Sequence, residues 1–373
     1  MEMRAEVAAV VPTLGGSAGA AGLGAALASL RRQGVAIEVT VVHQATAEGR
    51  EGVGSALPEE VAALADRVLT FPAPLGFAAA ANAGMPGRDR RYLLLLNDDA
   101  ELQPGWLAAA RTVLDSSPTL AAVQGVNLAS EPIGEDARRP AGAGGQPGAV
   151  NLGTEPQARA HVGRGRRDRP AASVNLAPEP SGKGTEPRVE GSGIGWNRWW
   201  QAVQLGAGGP PPPATGPREV FGASAAAALF RSSALAAVAL PGGVFDPRLH
   251  TYYEDVDLAG RLRGAGYQAA LAPAARAYHR GGASGEALGR RRLSLLYANR
   301  WLALARLLGG SFAGRLPPVL LRDLLDGARH PARLSAVLSG WARARRHWGR
   351  FARPGPPLVP FGELRRLGAE RVG

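Results

Sequence analysis

Four leucines stand directly before an asparagine and two aspartates in the stretch LLLLNDDA, Leu93–Ala100. Because the run shows no alternation of apolar and polar residues, it predicts a strand buried on both faces, as in a parallel sheet covered by helices. In open α/β sheets, ligands bind beyond the carboxyl ends of the strands. The stretch therefore predicts that a strand delivers Asp98 and Asp99 to the edge of a binding site, although Asn and Asp are also common in solvated turns.

Apolar strands alternate with helical segments on both sides of this stretch. The predicted strands are Val7–Pro12, Ile37–Val42, Val68–Phe71, Arg91–Leu96 and Leu120–Val126. The helices predicted between them are Ala20–Arg32, Glu59–Arg67, Gly76–Gly84 and Trp106–Leu114. This alternation indicates an α/β fold with a doubly wound, mostly parallel, Rossmann-like sheet.

The segment 131–190 interrupts the pattern. It is rich in Gly, Pro, Arg, Ala and Glu and lacks apolar periodicity. A polar unit recurs with a period of 24 residues, beginning at Val126, Val150 and Val174. Because these units offer no hydrophobic face for stacking, we expect a largely disordered insertion rather than a solenoid of repeats.

Regular structure is expected again behind the insertion. The predicted elements are strands at Glu219–Phe230 and Gln268–Pro273, helices at Ser233–Ala239 and from Glu254 to Gly264 or Gly266, and loops at 206–217 and Ala277–Ser284. From Leu288 the chain is predicted to be helical and basic. Residues 1–130 and 191–287 would then be two halves of one α/β domain, and residues 288–373 a helical extension.

The composition narrows the class of protein. The chain has 373 residues, no cysteine, and a formal net charge of +12 carried mainly by arginine. The lack of cysteine excludes structural disulfides and thiolate metal sites and favours a cytoplasmic setting. The basic charge suits nucleic acid, an anionic membrane surface or phosphorylated ligands. No window holds about 18 uninterrupted apolar residues and the first residues make a poor signal peptide, so no membrane span is expected.

Three clusters of polar side chains are candidates for chemistry. They are Asn97-Asp98-Asp99, Glu254-Asp255-Val256-Asp257 at the start of a predicted helix, and His279 before two glycines. Two carboxylates at a strand end suit Mg²⁺ or Mn²⁺, which bind one or two carboxylates together with water and substrate phosphates. Asp257 has Arg261 four residues later, which indicates a structural ion pair. Asp255 has no evident local partner and is the better candidate for a general base.

The order and spacing of these motifs resemble those of family 2 glycosyltransferases with the GT-A fold, in particular the bacterial branch that includes rhamnosyltransferase-like enzymes. The resemblance runs from Val7 to about Ser284, the insertion excepted. The matching motifs are VVPT (Val10–Thr13), GFAAAANAG (Gly76–Gly84), LLLLNDDA (Leu93–Ala100), EVFGASAAAALFR (Glu219–Arg231), FDPRLHTYYEDVDLAGRLRGAGY (Phe245–Tyr267) and H-x-x-x-x-S (His279–Ser284).

The resemblance implies a binding role for most of the matching residues. Asp99 and His279 would hold a divalent metal, Mn²⁺ or Mg²⁺, and Asn97 and Asp98 would contact the nucleotide diphosphate. The other nucleotide- or donor-binding residues that it implies are Pro12, Thr13, His43, Asn82, Gly222 and Ala223. Residues 1–130 would then form the nucleotide-sugar-binding half of the domain and residues 191–287 the acceptor half.

The same resemblance implies an inverting reaction. Asp255, with Glu254 beside it, would take the proton of an acceptor hydroxyl while that oxygen attacks the anomeric carbon. The metal would neutralise the departing diphosphate, in place of the acid that glycoside hydrolysis requires. The implied substrates are a nucleotide-diphosphate sugar and a growing cell-surface polysaccharide or lipid-linked glycan.

One motif departs from the family pattern. Where the family usually shows Val-Asp-Asn-x-Ser-x-Asp-Gly after the second strand, this chain has VVHQATAEG, Val41–Gly49. His43 stands at the position of the Asp that contacts the nucleobase or ribose, and an imidazole differs from an acceptor-only carboxylate. A different nucleotide, or a degenerate binding protein without turnover, is therefore an open alternative.

A sugar nucleotidyltransferase is a third alternative. Such an enzyme would need a glycine-rich loop with Lys or Arg after the first strand. The segment Thr13–Gly24 is rich in glycine but has no basic residue, which argues against that activity.

The C-terminal region, Leu288–Arg350, alternates leucine or tryptophan with arginine. Basic amphipathic helices of this kind can lie on the inner face of an anionic membrane. The alternative is a helical extension that packs on the catalytic domain with its arginines reaching to solvent. No nucleic-acid-binding motif is present, so nucleic acid is not an expected partner.

Overall fold

A mixed, mostly parallel sheet lies at the centre of the computed structural model, which describes residues 5–14, 17–45, 57–86, 89–129, 187–281, 288 and 290–368. The strands of this sheet are β1 (Val7–Thr13), β2 (Ile37–Gln44), β3 (Arg67–Phe71), β4 (Tyr92–Leu96), β5 (Ala100–Leu102), β6 (Leu120–Ala129), β7 (Val189–Gly191), β10 (Arg218–Val220), β11 (Ala227–Arg231) and β12 (Gln268–His279). A separate hairpin consists of β8 (Ile194–Trp196) and β9 (Ala202–Gln204).

The strand order is β10-β12-β6-β11-β4-β1-β2-β3, with β5 beside β12 and β7 beside β6. Four of the seven pairs along this path are parallel. Strand β11 runs antiparallel between β4 and β6, and β10 is antiparallel to β12. The carboxyl ends of β1, β2 and β4 therefore lie at one edge of the sheet, as the sequence predicts.

Helices cover both faces of the sheet. They are α1 (Ser17–Arg31), α2 (Glu59–Ala62), α3 (Phe77–Gly84), α4 (Trp106–Asp115), α5 (Ser232–Ala237), α6 (Glu254–Gly264), α7 (Arg290–Leu308), α8 (Leu316–Arg329), α9 (Leu334–Phe351) and α10 (Phe361–Arg366). In β4, Leu94 and Leu96 pack in the core beneath α1 and α4, whereas Leu93 and Leu95 pack in the core beneath α3 and α6. The unbroken leucine run is thus buried on both faces, and the predicted doubly wound α/β fold is confirmed.

Several predicted boundaries are wrong. The segment Glu219–Phe230 is not one strand: β10 ends at Val220, residues 221–226 are irregular, and β11 begins at Ala227. Strand β12 continues through His279, with a register shift around Pro273, so the loop predicted from Ala277 begins three residues too early. Proline lacks a ladder donor and is tolerated at such irregularities. Helix α2 is one turn long, and β5 was not predicted.

The predicted insertion also ends earlier than its boundary at Glu190. Residues 130–186, which include the repeats at Val150 and Val174, lie outside the described residues. Val189–Gly191 form β7, which pairs antiparallel with the end of β6. The stretch 206–217 forms no helix or strand, and Gly208 and Gly209 exchange backbone hydrogen bonds with Val189.

The C-terminal helices pack against the α/β domain. Leu304 and Leu307 of α7 share a buried cluster with Val256 and Ala259 of α6. Two fully buried carboxylates lie beneath this contact, those of Asp246 and Asp257, and Arg306 of α7 donates to both, at 2.8 and 2.6 Å. In the described part of the chain, no helix is long and apolar enough to cross a membrane.

Candidate functional site

The aspartate motif follows β4 at the edge of the sheet. The Asn97 backbone N–H donates to the Ala226 carbonyl at 2.8 Å, which ties the motif to the irregular segment before β11. Burial raises the pKa of Asp98 to about 6, opposed by a hydrogen bond with the Thr13 side chain and supported by the charge of Asp99. Residues from β1 and β4 therefore meet where the sequence predicted a site.

His279 reaches this motif through strand pairing. In β12 it lies opposite Ala100 of β5 on one side and in register with Ala129 of β6 on the other. Its Nε2 atom is 3.0 Å from Asp99 Oδ1 and 3.2 Å from Asn97 Nδ2. Asp99 and His279 are 180 positions apart in the chain. They are neighbours because the short strand β5, which directly follows the aspartate motif, pairs with β12.

Glu190 is a residue that sequence reasoning missed. Its Oε2 atom lies 3.2 Å from His279 Nδ1, on the opposite side of the ring from Asp99. Burial disfavours a charged imidazole, but the two carboxylates outweigh burial and raise the pKa of His279 to about 10. The sequence signal for a strand at this position was a single apolar residue, Val189, at the border of a low-complexity segment. A three-residue strand has too few positions to show a hydrophobic period.

The donor set fits a hard divalent cation. Asp99 Oδ1 is buried and faces His279 Nε2 at 3.0 Å. In the part of the chain that the structure describes, no group of three or more His, Asp or Glu side chains is arranged so that it could hold a metal ion by itself. Two protein ligands, Asp99 and His279, are nevertheless the number that Mg²⁺ sites commonly use when phosphates and water complete the shell. Metal binding would require neutral His279 and would release its proton.

Asp255 lies on the other side of the irregular segment. It is the second residue of α6, and its carboxylate is hydrogen-bonded by the Val256 N–H at 2.8 Å, by the backbone of Ala225 and by the Ser224 side chain. Because Asn97 binds Ala226, the segment 221–226 joins the aspartate motif to Asp255 directly. Burial raises the pKa of Asp255, which makes its carboxylate a stronger proton acceptor.

Gly222 allows α6 to approach this segment closely. A Cβ atom at Gly222 would lie 2.4 Å from the Ala259 Cβ, so a larger residue would displace the helix that bears Asp255. Gly222 and Ala223 also line a narrow, largely apolar cavity next to Asp255. The structure therefore places both residues beside Asp255, on the side of the predicted acceptor half.

Glu254 is buried beside Asp255. Its Oε2 atom has no hydrogen-bond partner among the described residues. Burial, followed by the charge of Asp255, raises the pKa of Glu254 well above its ordinary value. Two adjacent acids in the first turn of α6 therefore share a desolvated environment in which both cannot easily be ionised.

The loop before α6 has an unusual backbone. His250, Tyr252 and Tyr253 have φ angles of 65°, 73° and 67°, in the left-handed region that non-glycine residues rarely adopt. Asn299 of α7 holds this loop, because its Nδ2 atom lies 2.6 to 3.0 Å from the carbonyl oxygens of Leu249, Thr251 and Tyr252. A single buried amide from the C-terminal helices thus supports the turn that presents Asp255.

The predicted nucleotide-contacting residues separate into two groups. Pro12 and Thr13 end β1, and the side chain of Thr13 is hydrogen-bonded to Asp98. His43 of β2 lies in register with Thr13, on the neighbouring strand. His43 is buried, its Nε2 atom has no partner within the described residues, and burial lowers its pKa, which favours the neutral ring. Asn82 instead contacts the loop behind α3: it donates to Gly242 and Phe245 and accepts from the Phe245 N–H. The structure does not bring Asn82 to the aspartate motif.

Asp257 has the structural role that its spacing predicts. Its Oδ2 atom accepts a hydrogen bond from Arg261 Nε at 2.9 Å, and its Oδ1 atom accepts one from Arg306 at 2.6 Å. This confirms the predicted ion pair and leaves Glu254 and Asp255 as the acids of the cluster that no arginine among the described residues neutralises.

Comparison with known proteins gives distant structural neighbours only. No protein-family model matches the chain, and no curated protein matches it. Among solved structures, it is similar to a mannosyltransferase from Pyrobaculum calidifontis in complex with GDP-Man and Mn²⁺, at 17% identity and a TM-score of 0.45, over 93% of this chain and 76% of that one.

Two further solved structures are similar at the same level. GalNAc-T7 with UDP, GalNAc and Mn²⁺ is 12% identical with a TM-score of 0.45, over 80% of this chain and 50% of that one. S. aureus TarS residues 1–349 are 14% identical with a TM-score of 0.43, over 97% and 83%. At these values the similarity carries no residue-level correspondence.

Proposed function

We propose that the protein is an inverting, metal-dependent glycosyltransferase of the family 2, rhamnosyltransferase-like type, which acts as a hexosyltransferase. The observation that carries this proposal is the segment 221–226, which joins a metal-compatible motif to a desolvated carboxylate. Asn97 is bonded to one end of the segment, and Asp255 is bonded within it. A cation site and a proton acceptor on the two sides of one short segment suit group transfer from a diphosphate to a hydroxyl.

The donor would be a nucleotide-diphosphate sugar. Its diphosphate would lie at Asp98 and Asp99, and its base near Thr13 and His43, at the ends of adjacent strands. Asp99 and His279 would hold Mn²⁺ or Mg²⁺, which would supply Lewis-acid stabilisation of the diphosphate charge. The acceptor would be a cell-surface polysaccharide or lipid-linked glycan, assembled on the cytoplasmic side.

Asp255 would act as the general base of a single displacement. The acceptor oxygen forms a bond with the anomeric carbon while the bond from that carbon to the diphosphate oxygen breaks. The proton of the acceptor hydroxyl passes to Asp255, and the nucleoside diphosphate leaves with the electron pair. Attack from the face opposite the leaving group inverts the anomeric configuration.

Calorimetric titration tests the donor side. UDP and dTDP are titrated into the full-length protein with and without Mn²⁺, and into Asp99→Ala and Glu60→Ala. Glu60 is an exposed acid outside the site and is the matched control. We expect metal-dependent binding that Asp99→Ala loses and Glu60→Ala retains. Folded wild-type protein that binds neither nucleotide would overturn the donor assignment and favour the binding protein without turnover, with His43 as the mark of an altered site.

A further inference from the structure

Exposed leucines are concentrated on two C-terminal helices. Six large hydrophobic side chains are exposed within the described residues, and four of them lie on α8 and α9. These four are Leu321, Leu324, Leu334 and Leu338, with 46 to 53% of their surface exposed. The other two are isolated valines, Val35 and Val68, elsewhere in the fold.

The four leucines lie on two helices that adjoin at Gly327, and we call them the leucine patch. Leu321 and Leu324 are one turn apart on α8, and Gly327 follows one turn later. Leu334 Cδ1 lies 3.3 Å from the position that a Cβ atom would take on Gly327. Leu338 lies one turn beyond Leu334 on α9, so the patch crosses from one helix to the next.

Helix α8 departs from the usual arrangement of polar and apolar residues at four positions. Its buried side chains include Asp323 and Asp326, whereas Leu321 and Leu324 face solvent. Asp323 is satisfied inside by Arg300 and by the indole N–H groups of Trp301 and Trp341. A surface helix of a soluble domain normally buries its leucines. Since the buried acids of α8 already have partners, the outward leucines are not displaced core residues and point to a ligand surface.

The charge around the patch has one sign. Residues 288–353 contain fourteen arginines and two acidic residues. The net charge of this region is therefore +12, the same as the formal net charge of the whole chain. The two acids are Asp323 and Asp326, and both are buried. The remainder of the chain has equal numbers of basic and acidic side chains. The exposed surface of α8 and α9 therefore carries positive charge without compensating carboxylates of its own.

Exposed arginines lie next to the patch. Arg345 is seven residues after Leu338 and therefore on the same face of α9, and Arg346 and Arg350 follow it. Arg329 ends α8 beside the patch. These four arginines form no ion pair with any residue that the structure describes. Their charges are available to an external anion.

We propose that the leucine patch and its flanking arginines bind the headgroup region of an anionic lipid bilayer. Leucines enter the boundary between headgroups and acyl chains, and arginines contact lipid phosphates, as in interfacial amphipathic helices. A second copy of the chain suits the surface less well, because a two-fold contact through the patch would oppose the same arginines. Nucleic acid would engage the arginines but would leave the leucines in water.

Co-sedimentation with vesicles tests the proposal. Full-length protein is mixed with vesicles of phosphatidylcholine alone or of phosphatidylcholine with phosphatidylglycerol, at low and high ionic strength. We expect binding to the anionic vesicles, weakened by salt because lipid attraction is screened. Each arginine near the surface contributes roughly fivefold to the partition coefficient, so Arg345→Ala with Arg346→Ala is expected to weaken binding roughly 25-fold.

Matched variants separate insertion from bulk charge. Leu321→Ser with Leu324→Ser is expected to lose most vesicle binding, whereas Val35→Ser, an exposed apolar residue outside the patch, retains it. Arg67→Ala with Arg218→Ala removes the same charge from exposed positions elsewhere and is expected to bind like the wild type. All substitutions are on exposed side chains, and thermal unfolding verifies that each variant is folded.

Three outcomes would overturn the proposal. The first is vesicle binding by the leucine variants that equals that of the wild type. The second is a loss of vesicle binding in the Arg67→Ala, Arg218→Ala control that equals the loss in the Arg345→Ala, Arg346→Ala variant. The third is wild-type protein that does not bind vesicles but dimerises through the patch, as measured by sedimentation velocity. Nucleotide titration of the same variants is expected to be unchanged. A negative vesicle result therefore leaves the proposed donor site untouched, and a negative nucleotide result leaves the membrane surface untouched.

Discussion

The two sides of the proposed site are held by different kinds of structure. On the metal side, Asp99, His279 and Glu190 lie on or directly beside strands of one sheet, and backbone pairing sets their spacing. On the base side, Asp255 follows a loop with three left-handed residues, and Asn299 of a distant helix supports that loop. Sheet pairing is cooperative and local to the site, whereas the base depends on how the C-terminal helices dock.

This difference has a functional consequence. Left-handed non-glycine residues cost about 1 to 3 kcal/mol each and persist only where surrounding contacts impose them. Damage to the C-terminal helices should therefore impair the base while sparing the donor side. Damage to the aspartate motif should remove donor binding while leaving the loop before α6 in place.

Replacing the base should give the largest separation of the two sides. For Asp255→Asn we expect release of nucleoside diphosphate from the best donor to fall by about 10²- to 10⁴-fold, because the amide cannot accept the proton. Nucleotide affinity measured by calorimetry is expected to stay within about twofold of the wild type, a difference of about 0.4 kcal/mol. If turnover survives at the wild-type rate, another group accepts the proton and Asp255 is only structural.

Removing the amide that supports the loop before α6 should separate the base side from the metal side by a smaller effect on turnover. Asn299→Leu keeps the volume but leaves three carbonyl groups without their donor, so we expect a loss of about 1 to 3 kcal/mol in the free energy of unfolding. Displacement of Asp255 should lower turnover roughly 100-fold with unchanged nucleotide affinity.

The matched control is Leu295→Ala on the same helix, where the leucine is buried and lies outside the cluster that holds Leu249 of the loop. It should destabilise by about 2 to 5 kcal/mol through its cavity without changing the turnover of folded protein. A parallel drop in turnover for both variants would show that general destabilisation, and not the loop, is responsible.

On the metal side, Glu190→Gln should act through His279. The carboxylate beside Nδ1 orients the ring, and loss of such a partner typically weakens metal affinity about 10- to 100-fold. We expect Mn²⁺ affinity, followed by electron paramagnetic resonance of the free ion, to fall in this range. Saturating Mn²⁺ should restore nucleotide binding, which Asp99→Ala would not allow. Unchanged Mn²⁺ affinity would remove Glu190 from the site.

The smallest expected effect concerns stability and pH on the base side. The folded-state pKa of Glu254 is raised, so this carboxyl binds its proton more tightly in the folded than in the unfolded protein. Its contribution to stability is present at low pH and is lost as the pH rises from the unfolded pKa through the folded one. The loss is about 1.4 kcal/mol per pH unit while the two states differ by one proton.

Glu254→Gln should abolish this decline. We expect the metal-free variant to melt at a higher temperature than the wild type at pH 8 and at a similar temperature at pH 4, by differential scanning calorimetry. Wild-type protein that gains stability from pH 4 to pH 8 relative to the variant would show that Glu254 is paired and charged in solution.

The fold was more predictable than the site. Short apolar runs, and apolar residues at helical spacing between them, located most strands and helices of the α/β domain to within a few residues. The aspartate motif was also accessible, because charged residues directly after a buried strand must lie at the edge of the sheet, where the chain first reaches solvent. Glu190 was not, since its strand has three residues and is ordered only by pairing with β6.

The sequence alone determined the α/β alternation, the burial of Leu93–Leu96, the placement of Asp98 and Asp99 at the sheet edge, and the Asp257–Arg261 pair. Each depends on neighbours within a few residues, whose spacing is visible along the chain. The tertiary structure decided that Glu190 meets His279, that Asn299 supports the turn before Asp255, and that α8 exposes its leucines. Those contacts join residues that are far apart along the chain or depend on which helix face is covered, and only the sheet register and helix docking specify them.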